Sequence, residues 1–82
     1  MKAGEDARVD IMRYAIVIER GESSYGAYVP DLPGCVAAAQ TREEVVKLIH
    51  GAIEQHIQLL REEGIPVPEA RSFAEYADVQ VA

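Results

Sequence analysis

The stretch YVPDLPGCVAAAQTREE, Tyr28 to Glu44, carries the densest set of conformational instructions in the chain. Pro30 and Pro33 lack a backbone N–H, so neither can donate to a sheet ladder. Each also pushes its predecessor, Val29 or Leu32, toward extended geometry. Gly34 supplies the positive φ that a reversal needs. The run from Tyr28 to Gly34 therefore reads as a corner that turns the chain at low entropic cost. Cys35–Gln40 (CVAAAQ) then returns as a strand. Alanine is depleted in strands, yet small side chains suit a strand with a helix lying close above it. Thr41-Arg42-Glu43-Glu44 follows as a capping box, in which the Thr41 hydroxyl and the Glu44 carboxylate satisfy reciprocal helix-start N–H groups. Glu43 and Glu44 also complement the positive end of the helix dipole.

Downstream of the cap, Val45, Leu48, Ile49, Ala52, Ile53, Ile57 and Leu60 recur at helical spacing. Gly64 and Pro66 stop the pattern, which predicts a helix over residues 42–63, about 33 Å long at 1.5 Å per residue. Upstream, RYAIVIE (Arg13–Glu19) places Tyr14, Ile16 and Ile18 on one face and Ala15 and Val17 on the other, as in a central strand covered on both sides. RGESS is a polar turn, and YGAYV (Tyr25–Val29) completes a hairpin. Gly26 within it signals a bulge or a close backbone approach. After the helix, GIPVPEARSF is an extended connector. YADVQV (Tyr76–Val81) alternates Tyr76, Asp78 and Gln80 against Ala77, Val79 and Val81, the pattern of a half-buried strand. Residues 1–11 are polar and aperiodic and read as a flexible arm, with Met12 standing just ahead of the first strand. The sum is one α+β domain over residues 12–82, in the order β-β-β-α-β, with one long helix on a face of the sheet.

Composition narrows what such a domain can do. A chain of 82 residues holds a small core, and near this size folding buries only about 60% of the surface. Association into a homodimer or higher oligomer is a common remedy. Eight Lys and Arg against 14 Asp and Glu leave a net charge of -6. A nucleic-acid binder needs a basic stripe to displace counterions; here the basic pairs are diluted by acids, so direct nucleic-acid binding is disfavoured, whereas a basic protein partner is compatible. No apolar run approaches the roughly 20 residues of a membrane span, and no signal-peptide core follows Met1. A soluble, cytoplasmic protein without membrane contact is expected.

Candidate chemistry is thin. The single cysteine, Cys35, has no disulfide partner within the chain. A Cys35 nucleophile with His50 or His56 is one reading; a small buried hydrophobe at a strand start is the favoured one. His50 and His56 stand six positions apart, about 120° around a helix, which does not suit a shared metal. His56 falls within the apolar arc as a hydrogen-bonded core or interface residue. There is no phosphate loop, zinc pattern or acid pair, so no enzyme, metal or cofactor is expected. Gly51 interrupts the helix at a cost of about 1 kcal/mol, explicable by close approach of another chain.

In combination, the Pro-Asp-Leu-Pro-Gly-Cys corner, the Thr-x-x-Glu helix start and the Gly-Ile-Pro-Val-Pro exit resemble the HicB family of antitoxins from type II toxin–antitoxin systems, from about Met12 to Val81. The resemblance implies a truncated ribonuclease-H-like fold without catalytic carboxylates. It also implies neutralisation of a small, basic, mRNA-cleaving HicA-type toxin through protein–protein contact. On that basis Tyr28, Pro30, Asp31, Leu32 and Pro33 are candidate partner-binding residues, with the Asp31 carboxylate exposed to meet a basic partner. Gly34, Cys35, Thr41, Glu44, His56 and Gly64 are candidates for structural roles. Many family members append a DNA-binding module; none is visible before Ala82, so operator binding by this chain is not expected. The alternative function is a HicB-like oligomerisation or small-ligand module without a toxin partner.

Overall fold

The computed structural model describes residues 11–82. The expected arm over residues 1–11 lies, apart from Ile11, outside the described residues. Three strands form one antiparallel sheet in the order β1-β2-β3: β1 is Val17–Arg20, β2 Tyr25–Tyr28 and β3 Val36–Ala39. A single helix, α1, runs from Arg42 to Glu62. The α+β class read from the sequence therefore stands.

Register follows from the turns. Arg20 pairs with Tyr25 and Val17 with Tyr28, the hairpin closing through the Gly21 N–H donating to the Ser24 carbonyl at 2.8 Å. Tyr28 pairs in turn with Val36 and Tyr25 with Ala39. Pairing is one to one at Gly26, and a Cβ there would meet only the Ala37 carbonyl at 3.9 Å. Neither the bulge nor the close approach expected at Gly26 is present.

The first strand is shorter than the pattern predicts. If the β1–β2 register continued, residues 13–16 would stand opposite Val29, Pro30, Asp31 and Leu32. Those residues are turned into the corner, so residues 13–16 are left unpaired. Nor is β1 central; it is an edge of the sheet.

The predicted strand over 76–81 does not form. Tyr76 is 95% exposed, Val79 76% and Val81 82%. A period of two supplies a face to bury, but a strand also needs a backbone neighbour, and residues 76–81 have none among the described residues.

α1 begins as its cap predicts. Thr41 is extended (φ -127°, ψ 161°), and its Oγ1 accepts the Glu44 N–H at 3.1 Å. The reciprocal bond from the Glu44 carboxylate is not formed among the described residues. The helix ends one residue before the predicted boundary, in a Schellman motif. Gly64 takes φ 71°, the Ile65 N–H donates to the Leu60 carbonyl at 2.8 Å, and the Gly64 N–H donates to the Arg61 carbonyl at 3.1 Å. α1 lies over β3 and β2.

The buried core consists of Ala27, Val29, Leu32, Cys35, Val45 and Ile49. Half of these residues belong to the corner. Tyr14, Ile16, Ile18, Tyr25, Ala37, Ala39, Val46, Ala52 and Ile53 pack around them, only partly buried. The Pro-rich corner thus folds its own apolar side chains beneath the helix as it reverses the chain.

Candidate partner-binding surface

The corner is two consecutive turns. The Leu32 N–H donates to the Val29 carbonyl and the Cys35 N–H to the Leu32 carbonyl, both at 3.0 Å. In the second turn Pro33 sits at the second position and Gly34, at φ 86°, in the third, the signature of a type II turn. The Val29 N–H donates to the Cys35 carbonyl at 3.2 Å and closes the loop. Each proline occupies a turn position where no ladder hydrogen bond is required.

This geometry redistributes the candidate residues. Leu32 is fully buried; it is a core residue, and its side chain offers nothing to a partner. Asp31 is half-buried and already engaged. Its Oδ2 accepts the backbone N–H groups of Arg71 and Ser72 at 2.7 and 2.8 Å, and its Oδ1 accepts the Ser72 hydroxyl at 2.9 Å. The Ser72 N–H above all, then the Ser72 hydroxyl, the Arg71 N–H and the Arg71 charge, hold the carboxyl below its ordinary pKa. The expectation of a free Asp31 carboxylate is thereby corrected: it anchors the connector that follows the helix. Close by, the Tyr14 hydroxyl donates to the Pro68 carbonyl at 2.6 Å. Burial, and secondarily the Asp31 charge, raise the Tyr14 pKa. Sequence spacing carries no signal for contacts 40 or more residues apart.

Pro30 and Pro33 are exposed, and Tyr28 remains 41% exposed. Tyr28 lies on the sheet face away from α1, since its neighbour Ala27 points into the core. The register places Val17 and Val36 directly beside Tyr28 on that face. Val36 is 64% exposed. An aromatic ring between two β-branched side chains thus forms an apolar row across the helix-free face. Of this row the sequence reading singled out Tyr28 alone; Val17 and Val36 join it only through the pairing register.

Cys35 is buried, and desolvation pushes its thiol up from the ordinary value. Gly34, His56, Gln55 and Leu59 share a shallow cleft with it. His56 is half-buried but has no hydrogen-bond partner among the described residues, unlike the bonded histidine expected. His50 is exposed on the helix. Gly51 faces a groove walled by Val36, Ala38, Leu48 and Gln55, and a Cβ there would meet nothing within 4 Å. Among the described residues no three His, Cys, Asp or Glu side chains gather as a metal site would need, and no helix is long and apolar enough to cross a membrane.

Comparison with known proteins places this surface in context. A 14.9 kDa protein from the rep-hol intergenic region of Haemophilus phage HP1 is 34% identical over 65 residues, covering 79% of this chain and 49% of that protein. The chain thus spans about half the length of that relative. A UPF0150 protein of Synechocystis is 37% identical over 60 residues, covering 72% of this chain and 76% of the relative. Among solved structures, a chain of the HicA3 and HicB3 toxin-antitoxin complex is similar with a TM-score of 0.59 at 34% identity, over 67% of this chain and 64% of that one. Residues 14–80 match the model of the HicB_like antitoxin of bacterial toxin-antitoxin systems. That span takes in the sheet, the double turn, the helix and the anchored connector, and the chain belongs to the HicB-like antitoxin family.

Proposed function

We propose that this chain neutralises a small, basic, mRNA-cleaving toxin of the HicA type by binding it in the cytoplasm, without chemistry of its own. The observation that carries the reading is the likeness, at 34% identity, to a chain of a HicA3–HicB3 complex. The physical properties of the surface agree with it. A net charge of -6 attracts a basic partner. The helix-free row Val17–Tyr28–Val36 supplies an aromatic anchor of the kind that dominates binding energy in protein interfaces. The exposed Pro30 and Pro33 of the adjoining corner add rigid backbone that loses little entropy on binding.

The test is a ribonuclease assay with a HicA-type toxin titrated with this chain. Protection of the RNA near a stoichiometric ratio is the expected result. Tyr28→Asp weakens protection at least tenfold, about 1.4 kcal/mol, while leaving the circular dichroism of the helix intact. Undiminished cleavage at a large excess of folded chain would exclude this function and leave the chain as an assembly module.

A further inference from the structure

Two stretches, residues 11–16 before β1 and residues 66–82 after α1, lack backbone partners among the described residues. Residues 13–16 are unpaired because the corner has withdrawn the residues that would face them. Residues 72–74 come back to this place, sharing a cleft with Arg13–Ile16. Beyond them residues 75–82 are exposed without interruption. Among the described residues, no backbone–backbone hydrogen bond involves 11–16 or 66–82.

Each stretch offers what the other lacks. Residues 76–81 carry a clean period of two, with Ala77, Val79 and Val81 on one face and Tyr76, Asp78 and Gln80 on the other. They present a strand's ladder groups and an apolar face without a sheet. β1 has the converse deficit: its outer edge is open, and its helix-side residues Tyr14, Ile16 and Ile18 are only half-buried. α1 covers chiefly β3 and β2, so a further strand beside β1 has apolar surface to meet. Open apolar edges of this kind are a liability unless they are covered.

The strand is not laid on the edge of its own chain, as the exposure of Val79 and Val81 shows. We propose that residues 75–82 form the fourth strand on β1 and residues 13–16 of a second copy, and that the exchange is reciprocal. The free strand departs beside the open edge of β1, so a two-fold dimer pairs each such strand with its partner's β1 edge, while the outer edge of β3 stays open. The Asp31–Ser72 and Tyr14–Pro68 hydrogen bonds set the point from which the strand departs, beside the edge that receives its counterpart. At about 3.3 Å per residue the eight residues reach roughly 26 Å, enough to run the length of a strand in a neighbouring subunit. Ala77, Val79 and Val81 then continue the row of Tyr14, Ile16 and Ile18 on the helix side of the partner's sheet.

Light scattering on the full chain and on the double variant Val79→Asp/Val81→Asp tests the exchange. Both side chains are exposed in the single chain, so the variant retains its helical circular dichroism. The expected result is a dimer whose mass halves in the variant. Isotope-filtered NMR on an equal mixture of labelled and unlabelled full chain locates the strand: intermolecular contacts between residues 76–81 and residues 13–18 are expected. A monomeric full chain at several hundred micromolar, a dimer that persists in the variant, or intermolecular contacts only between the two 76–81 segments would each overturn the proposal.

Discussion

Asp31 holds Ser72 through both carboxylate oxygens, one taking the backbone N–H at 2.8 Å and the other the hydroxyl at 2.9 Å. The aspartate sits between the two prolines of the corner, and the serine lies 41 residues later, beyond the helix. The corner therefore has three structural tasks. It reverses the chain, contributes Val29, Leu32 and Cys35 to the core, and fixes the connector with the side chain left over.

Acid should release that connector. Folding lowers the Asp31 pKa below its ordinary value of 3.8, so the stabilisation is complete above that value and disappears as pH falls through the folded-state pKa. Thermal unfolding of the wild type should show a fall in Tm as pH drops below about 4. In Asp31→Asn one acceptor oxygen is replaced by an NH2 group that cannot receive an N–H. This variant should start from a lower Tm at pH 7 and lose less on acidification. Amide exchange at Arg71 and Ser72 should accelerate in the variant at neutral pH; unchanged protection there would dissociate the carboxylate from the anchoring of the connector.

Gly34 tests the turn itself. Its φ of 86° is a conformation that L side chains rarely adopt, while nothing lies within 4 Å of a Cβ built there. The first side-chain atom thus meets no clash, and the loss reports chiefly the backbone conformation. Gly34→Val should lower stability by about 2 kcal/mol, and Gly34→Asn by about half as much, because asparagine tolerates the left-handed region better. Urea denaturation distinguishes them; equal losses would point to a cause other than backbone conformation.

The elements that were legible in the sequence are those specified by local chemistry. Pro33-Gly34 dictates a turn whatever surrounds it, Thr41 reaches only as far as Glu44, and Gly64 closes a helix whose apolar spacing is unambiguous. What was not legible depends on distant partners. The strand at 13–19 was placed by its composition, but its first half has no neighbour once Pro30 and Asp31 turn away. Residues 76–81 have the right alternation and no ladder. Asp31 was read as a free charge because nothing in its own neighbourhood reveals Ser72. Leu32 was grouped with its exposed neighbours because a contiguous motif hides the alternation of inward and outward side chains within a tight turn.

Gly51 offers a gain in stability. It lies within α1, where glycine costs about 1 kcal/mol relative to alanine, and a Cβ there meets nothing within 4 Å. Gly51→Ala should therefore stabilise the domain by about 1 kcal/mol, raising Tm by roughly 4–8 °C in a domain of this size. The same variant also reports on the neighbouring groove. If Gly51 admits another chain closely, as its place in the helix first suggested, the stabilised variant should protect RNA from the toxin less well. Unchanged protection would place the toxin contact elsewhere, in keeping with the Tyr28 face.

Cys35 separates a nucleophile from a core residue. A working nucleophile needs an accessible thiolate, favoured by a lowered pKa. Here burial raises the thiol pKa above its ordinary value of 9.0, and the side chain is closed off beneath α1. The neutral thiol is therefore the form that fits the fold. Stability should be unaffected by this group below about pH 9 and should decline as pH rises through the folded-state pKa, the charged form being tolerated only after unfolding. Reaction with a chromogenic disulfide reagent at pH 8 should be slow in the native protein and complete in seconds in denaturant. Cys35→Ala should cost about 1 kcal/mol for the lost sulfur and the space it leaves, abolish the alkaline sensitivity, and leave toxin protection near the wild-type level. Rapid modification of the native thiol, or loss of protection in a variant that still folds, would restore Cys35 as a functional group.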